Sequence, residues 1–123
     1  MKKKLSIIIP ALNEENYIAN CINSLQGQIG SQDELIVVDN GSTDKTLDII
    51  EKFDLPLTFN IQFSDKRMPR IDVIQSELNN DFAAQRNRGL AKARGKWILF
   101  VDADEVVSKE LAAEIKQILS ANI

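Results

Sequence analysis

The sequence predicts an α/β fold in which a mainly parallel sheet carries helices on both faces. Short apolar runs alternate with stretches of helical spacing, which is the pattern of right-handed βαβ units. The runs are continuous and rich in β-branched residues, as strands buried on both faces are. In addition, three of them end directly in polar turns, at 10–14, 39–44 and 102–105. Open α/β sheets bind ligands just beyond the carboxyl ends of their strands, so these turns are the candidate site.

Residues 5–9 form the first strand. With the lysines before it, this run superficially resembles a secretion signal. It ends at Pro10, however, and leads into Asn13, Glu14 and Glu15 without a small-residue cleavage pattern. Asn13 is placed to cap a helix in which Ile18, Cys21, Ile22 and Leu25 make one apolar stripe, ended by Gly27 and Gly30. Residues 35–38 are the second strand. The turn at 39–44 follows, with Ser42 or Thr43 as cap of a helix through Leu47 and Ile50. After Pro56, residues 57–61 read as a weaker third strand, and 64–80 as a loop with a short helix around 71–78. Residues 82–94 are helical, stopped at Gly95. The fourth strand is 97–101, running into Asp102-Ala-Asp-Glu105. Ser108 caps a last helix with Leu111, Ala112, Ile115, Ile118 and Leu119 on one face.

Composition narrows the chemistry. A length of 123 residues suits one domain, 1–123. The net charge of −3 and the lack of a basic stripe argue against nucleic acid as a partner. No run approaches the ~20 apolar residues of a membrane span, so a soluble, cytoplasmic protein is expected. Histidine is absent, which excludes a histidine base, a Ser-His-Asp triad and histidine-ligated zinc. The single cysteine, Cys21, cannot form an internal disulfide and fits the apolar stripe as a packing residue. Glycine-rich phosphate loops of the two common patterns do not occur. Carboxylates, amides, hydroxyls and Lys/Arg remain, and such hard oxygen donors suit Mg²⁺ or Mn²⁺.

Asp102 and Asp104, two apart around the small Ala103, can aim both carboxylates at one point just past a strand end. Their repulsion is relieved by a divalent cation that substrate phosphates also ligate. The competing reading is a solvated acidic turn that caps the last helix through Asp104 and Glu105. Asp39 can accept a hydrogen bond from a base or ribose, or stabilise an Asx-turn over Gly41-Ser42, or both. Asn13 and Glu14 are open to the same alternatives of cap or ligand contact. Arg86 or Arg88, early in the third helix, can pair with a diphosphate; a solvated helix face is the alternative.

Four stretches together resemble the family 2 glycosyltransferases of GT-A fold: Ser6-Ile-Ile-Ile-Pro-Ala-Leu-Asn-Glu14, Glu34-Leu-Ile-Val-Val-Asp-Asn-Gly-Ser-Thr-Asp44, Asp81-Phe-Ala-Ala-Gln-Arg-Asn87 and Gly95-Lys-Trp-Ile-Leu-Phe-Val-Asp-Ala-Asp-Glu105. The resemblance covers nearly the whole chain except 62–80. Its third and fourth stretches look like the branch containing lipopolysaccharide-core glucosyltransferases. It implies a Rossmann-like three-layer sandwich of sheet order 3-2-1-4, a truncated GT-A fold whose domain binds a nucleotide-sugar donor such as a UDP-sugar. By the same likeness, Pro10, Asn13, Glu14 and Asp39 line the nucleoside pocket, with Asp39 towards the uracil. Asp102 lies near ribose and metal, and Asp104 binds the Mg²⁺ or Mn²⁺ that bridges the diphosphate. The reaction is inverting, by in-line attack of an acceptor hydroxyl. The family's catalytic base lies well downstream of the Asp-X-Asp turn, and no residue here is assigned to it. Two alternatives stand beside this reading. One is a family-derived binding or assembly module without transferase activity, and the other is a phospho-acceptor domain using Asp39. In the expected strand order the fourth strand is an exposed apolar edge, which predicts a homo-oligomer formed along it.

Overall fold

The computed structural model describes residues 4–26, 28, 30, 32–59, 70–75 and 81–121. Among the described residues four strands and four helices alternate: β1 (Leu5–Ala11), α1 (Ile18–Gln26), β2 (Asp33–Asp39), α2 (Thr46–Phe59), β3 (Arg70–Gln75), α3 (Phe82–Lys92), β4 (Trp97–Phe100) and α4 (Lys109–Ser120). All strand pairs are parallel, in the order β3-β2-β1-β4. Both the parallel sheet and the expected order are therefore present.

Side chains of β1 divide between the two faces with the period of two that a strand imposes. Leu5, Ile7, Ile9 and Ala11 join Ile18, Cys21, Ile22 and Leu25 of α1, Ile50 of α2 and Ala112 of α4 in the larger core. Ile8 faces the other way and joins Ile36 and Val38 in a smaller core, with Ile74 and Ala93 packed against it. Helices α1, α2 and α4 thus cover one face of the sheet, and α3 covers the other.

Helix α3 lies very close to the sheet. A methyl group at Gly89 would stand 2.5 Å from Cγ2 of Ile8 and 3.2 Å from Cγ2 of Val38. The chain leaving α3 is fixed by a buried carboxylate. Glu34 of β2, 1% exposed, accepts hydrogen bonds from the Ser6 hydroxyl and from the backbone N–H, Nε and Nη2 of Arg94. Burial alone would raise the pKa of Glu34, but these hydrogen bonds and the Arg94 charge hold it below the usual carboxylate value.

Several boundaries differ from expectation. β1 continues through Pro10 to Ala11. Lys4 and Ile8 bond to β4 through their carbonyls, whereas the Ala11 carbonyl bonds to the β2 side. Pro10 therefore turns its missing N–H towards β4, which has already ended, and no ladder bond is lost. Asn13 does not cap α1. It takes φ 52°, and its side chain accepts from the backbone N–H groups of Thr43 and Asp44, so it ties the first polar turn to the second. Asp44, rather than Ser42 or Thr43, accepts from the Thr46 N–H at the start of α2. Ser42 is instead engaged by Asp39.

Residues 57–59 belong to α2, not to a third strand, and 60–61 lie outside the described residues. Leu57 continues the i, i+3, i+7 spacing of Ile50 and Phe53, which carries the helical pattern past Pro56. The place beside β2 is taken by β3, where a short helix was expected over 71–78; residues 76–78 lie outside the described residues. The run Ile71-Asp-Val-Ile74 has apolar residues at both helical and strand spacings, and pairing with β2 decides for the strand. On α4, Ala112, Ile115 and Leu119 face the core, while Leu111 and Ile118 are about half exposed at 46% and 51%. The five-residue stripe is wider than the surface it covers. No helix among the described residues is long and apolar enough to cross a membrane.

Candidate functional site

The three polar turns do leave the same edge of the sheet. Asp39 pairs in register with Ala11, and the N–H of Val101, next to Asp102, donates to the Ile8 carbonyl at 3.0 Å. Asp39 and Asp102 therefore flank the end of β1, about 10 Å apart across two strand spacings.

Beside Asp102 opens a cleft of about 390 Å³, formed by the first and third turns and the start of α3. Pro10, Glu14, Arg86, Asp102 and Asp104 line it, together with Phe82 and Gln85. Ala103 is 3% exposed and packs into the larger core. Its neighbours on either side consequently turn outward, which is how a two-residue spacing presents both carboxylates to one space. They do not cap α4, which begins at Lys109 with Ser108 as its cap. Glu105 closes the turn instead, its carboxylate accepting from the Asp102 N–H at 2.7 Å.

Among the described residues the cleft is lined by acidic side chains and by Arg86. Glu14 has its pKa raised, first by burial and then by the charges of Asp104, Asp44 and Asp102. Arg86 reaches across from α3, with Nη2 at 3.9 Å from Oδ1 of Asp102 and its guanidinium 5.6 Å from the centre of the Phe100 ring. Both partners of this pair are more than half exposed, at 52% and 60%. The contact is weak and leaves Arg86 available to an anion. Arg88 is exposed and does not line the cleft; Lys66 and Arg67 lie outside the described residues.

Asp39 and Asn13, expected in the nucleoside pocket, do not line this cleft. Asp39 is 1% exposed and accepts from the N–H groups of Gly41 and Ser42 and from the Ser42 hydroxyl. The Asx-turn is thus present, with Gly41 at φ 84° supplying its left-handed residue. The first two turns interlock further: the Glu14 N–H donates to the Thr46 hydroxyl at 2.8 Å, and the Glu15 N–H to Asp44 at 3.2 Å.

Sequence reasoning placed Gln85 at the head of the third helix without a role. It is 1% exposed, and its Nε2 donates to the carbonyls of Ala11 at 3.2 Å and Val38 at 2.8 Å. Those carbonyls belong to the last residue of β1 and the penultimate residue of β2, so one amide pins the start of α3, and Arg86 with it, to the site. Cys21 is a packing residue: burial, followed by the nearby carboxylates Glu105, Asp104, Asp102 and Glu14, pushes its thiol up to about 12.

Among the described residues no three acidic or thiol side chains converge closely enough to enclose a cation unaided. The all-oxygen set nevertheless fits Mg²⁺ or Mn²⁺, which keep waters and take one or two protein carboxylates together with substrate phosphates. Asp102 and Asp104, which line the cleft with Glu14, are the residues that could hold such an ion.

Known proteins share this architecture. The chain is 36% identical over 110 residues to the poly(ribitol-phosphate) beta-N-acetylglucosaminyltransferase TarS of Staphylococcus aureus, covering 87% of this chain and 17% of that protein. The crystal structure of S. aureus TarS 1-349 superimposes with a TM-score of 0.78 at 33% identity, over 96% of this chain and 32% of that one. Its complex with UDP-GlcNAc gives 0.73 at 32% identity, over 96% and 31%. Glucosyl-3-phosphoglycerate synthase of Mycobacterium tuberculosis, in complex with Mn²⁺, UDP and phosphoglyceric acid, gives 0.62 at 28% identity, over 85% and 34%. This chain spans from 16% to 39% of the length of the curated relatives it matches. The profile described as Glycosyl transferase family 2 matches residues 6–121, and the chain belongs to that family.

Proposed function

We propose that this chain is the donor-binding domain of a glycosyltransferase and holds a nucleotide-diphospho-sugar, a UDP-sugar, in the cleft beyond β1 and β4. One observation carries the reading: Asp102 and Asp104 face Glu14 and Arg86 across one cleft, so a dianionic diphosphate finds an arginine and a carboxylate pair suited to a shared divalent cation. That the solved relatives include complexes with UDP-GlcNAc and with UDP and Mn²⁺ supports it.

Asp104 and Asp102 are the metal ligands in this reading. They would hold a divalent cation, which would supply charge neutralisation for a departing nucleoside diphosphate in an inverting, in-line attack by an acceptor hydroxyl. Arg86 exchanges its long contact to Asp102 for the diphosphate. Pro10 and Glu14 form the floor beside the nucleoside. Asn13 holds that floor by locking the two turns, and Asp39 can reach a uracil only through the acceptor capacity left on Oδ1, since Oδ2 accepts two backbone N–H groups. The exposed β4 edge, with Ile98 at 38% and Phe100 at 37% exposure, is proposed as the contact for a second copy.

The test is thermal unfolding with UDP, with and without Mn²⁺, for the wild type and Asp104→Ala. A ligand at a hundred times its Kd stabilises by about 2.7 kcal/mol, close to 10 °C for a chain of 123 residues. That gain should require Mn²⁺ and vanish in Asp104→Ala. A wild type that UDP and Mn²⁺ leave unshifted refutes the donor site. A monomer by light scattering at working concentration refutes the edge contact.

A further inference from the structure

The turn bearing Asp102 and Asp104 leaves the sheet after Val101, whose N–H makes its last bond to β1. From there to α4 it runs without strand pairing. Its internal hydrogen bonds join Asp102 and Glu105. Three more come from one row of α1 and its C-terminal extension. The Cys21 thiol donates to the Asp102 carbonyl at 3.6 Å. Ser24 Oγ accepts from the Val107 N–H at 3.0 Å, and Gln28 Nε2 donates to the Val107 carbonyl at 3.1 Å.

These residues stand at i, i+3 and i+7, the spacing of a single helix face. The same face buries Ile18, Ile22 and Leu25. Ser24 and Gln28 are thus polar residues beside an apolar stripe; the Ser24 hydroxyl both donates and accepts, and Gln28 Nε2 donates twice. The Ser24 hydroxyl also donates to the Cys21 carbonyl at 2.7 Å, and Gln28 Nε2 also donates to the Ser24 carbonyl. Val107 is held at both its N–H and its carbonyl, as it would be by a neighbouring strand, and its side chain is 6% exposed. Val101 and Ala103 are therefore buried pegs on either side of Asp102, and Ala103 and Val107 on either side of Asp104 and Glu105.

Paired carboxylates facing Glu14 repel one another, and a turn left to itself would relax by spreading them. We infer that Ser24 and Gln28, with Cys21, are positioning residues that hold Asp102 and Asp104 at the spacing a divalent cation needs before it binds. The inference rests on the donor-site reading above and extends it to residues that touch neither metal nor donor. Such preorganisation by supporting hydrogen bonds governs how tightly a metal site binds.

The experiment uses the full chain with Ser24→Ala, Gln28→Leu, their combination, and Ser24→Thr, which retains the hydroxyl. Amide hydrogen exchange is followed without ligand, and Mn²⁺ affinity is titrated calorimetrically at saturating UDP. In the double variant, exchange at Val107 should quicken at least about tenfold while β1 and β2 keep their protection. Mn²⁺ affinity should fall about tenfold, the lower end of losses seen for outer-sphere partners. Ser24→Thr should stay near the wild type in both. Should the double variant lose its fold, Gln28→Leu alone, at a half-buried site past the end of α1, carries the same comparison. Faster exchange with Mn²⁺ affinity kept within about twofold, or unchanged exchange, overturns the inference alone. A wild type that binds neither UDP nor Mn²⁺ overturns the donor-site reading and this inference together.

Discussion

Replacing Gly89 by alanine tests whether α3 is held against the sheet as closely as the structure shows. The new methyl would stand 2.5 Å from Cγ2 of Ile8, against about 3.5–4.0 Å for ordinary carbon contacts. Relief needs a displacement of about 1 Å, and Ile8 cannot give it. Ile8 is 0% exposed, β-branched and packed with Ile36 and Val38. Overpacking of this kind costs about 1–3 kcal/mol, and the severity of the clash places it at the upper end. Alanine in a helix interior returns about 1 kcal/mol relative to glycine, leaving a net loss of about 2 kcal/mol. For 123 residues each kcal/mol moves Tm by about 4 °C, so calorimetry should record a fall of about 8 °C. Because α3 carries Gln85 and Arg86, UDP affinity should weaken in the same variant. A Tm that stays level or rises would mean that helix propensity outweighs the clash and that α3 does not lie where described.

Glu34→Gln should cost about 1–2 kcal/mol at pH 7, allowing for the exposure of Arg94. Since the folded-state pKa of Glu34 is depressed, its contribution is complete above the unfolded value near 4.3 and is lost as pH falls through the folded value. The Tm gap between variant and wild type should therefore close in acid, and a gap independent of pH would contradict the network. Asn13→Gly keeps the φ of 52° but loses the acceptor for Thr43 and Asp44, at about 1–2 kcal/mol. Asn13→Ala adds roughly 1 kcal/mol of backbone strain, so urea unfolding should rank it below Asn13→Gly; the reverse order would count against the left-handed conformation. The Cys21 thiol, at about 12 and buried, should resist iodoacetamide at pH 8 until urea unfolds the chain, as mass spectrometry can follow.

The fold was legible where packing leaves a periodic trace. β1, β2 and β4 are built on the apolar runs 7–9, 35–38 and 97–100, and the α1 stripe reads directly as its buried face. The fold was illegible where pairing decides. Ile71 to Ile74 satisfies two periods at once, and only a neighbour in register makes it a strand. The cleft residues were readable as polar ends of apolar strands, whereas their division of labour was not. Asn13 looks like a helix cap because caps and turn locks use the same acceptor, and only the partner thirty residues on distinguishes them. Glu34 sits within a strand with no local sign that Ser6 and Arg94 will meet it there. Gln85 gives no hint of the two carbonyls it spans, because they belong to strands far from it in the chain.

The chain's one tryptophan occupies the first position of β4, with its backbone N–H bonded to Lys4. Asp102 lies five residues further on, about 16 Å away at strand rise. The indole is thus a built-in optical reporter on the outer margin of the sheet, remote from the cleft. Trp97 is partly buried against the larger core. Docking of the proposed second copy along that margin would exclude the remaining water and shift its emission to shorter wavelength, whereas a nucleotide in the cleft would leave it unchanged. A single fluorescence trace thereby separates self-association from ligand uptake without any label.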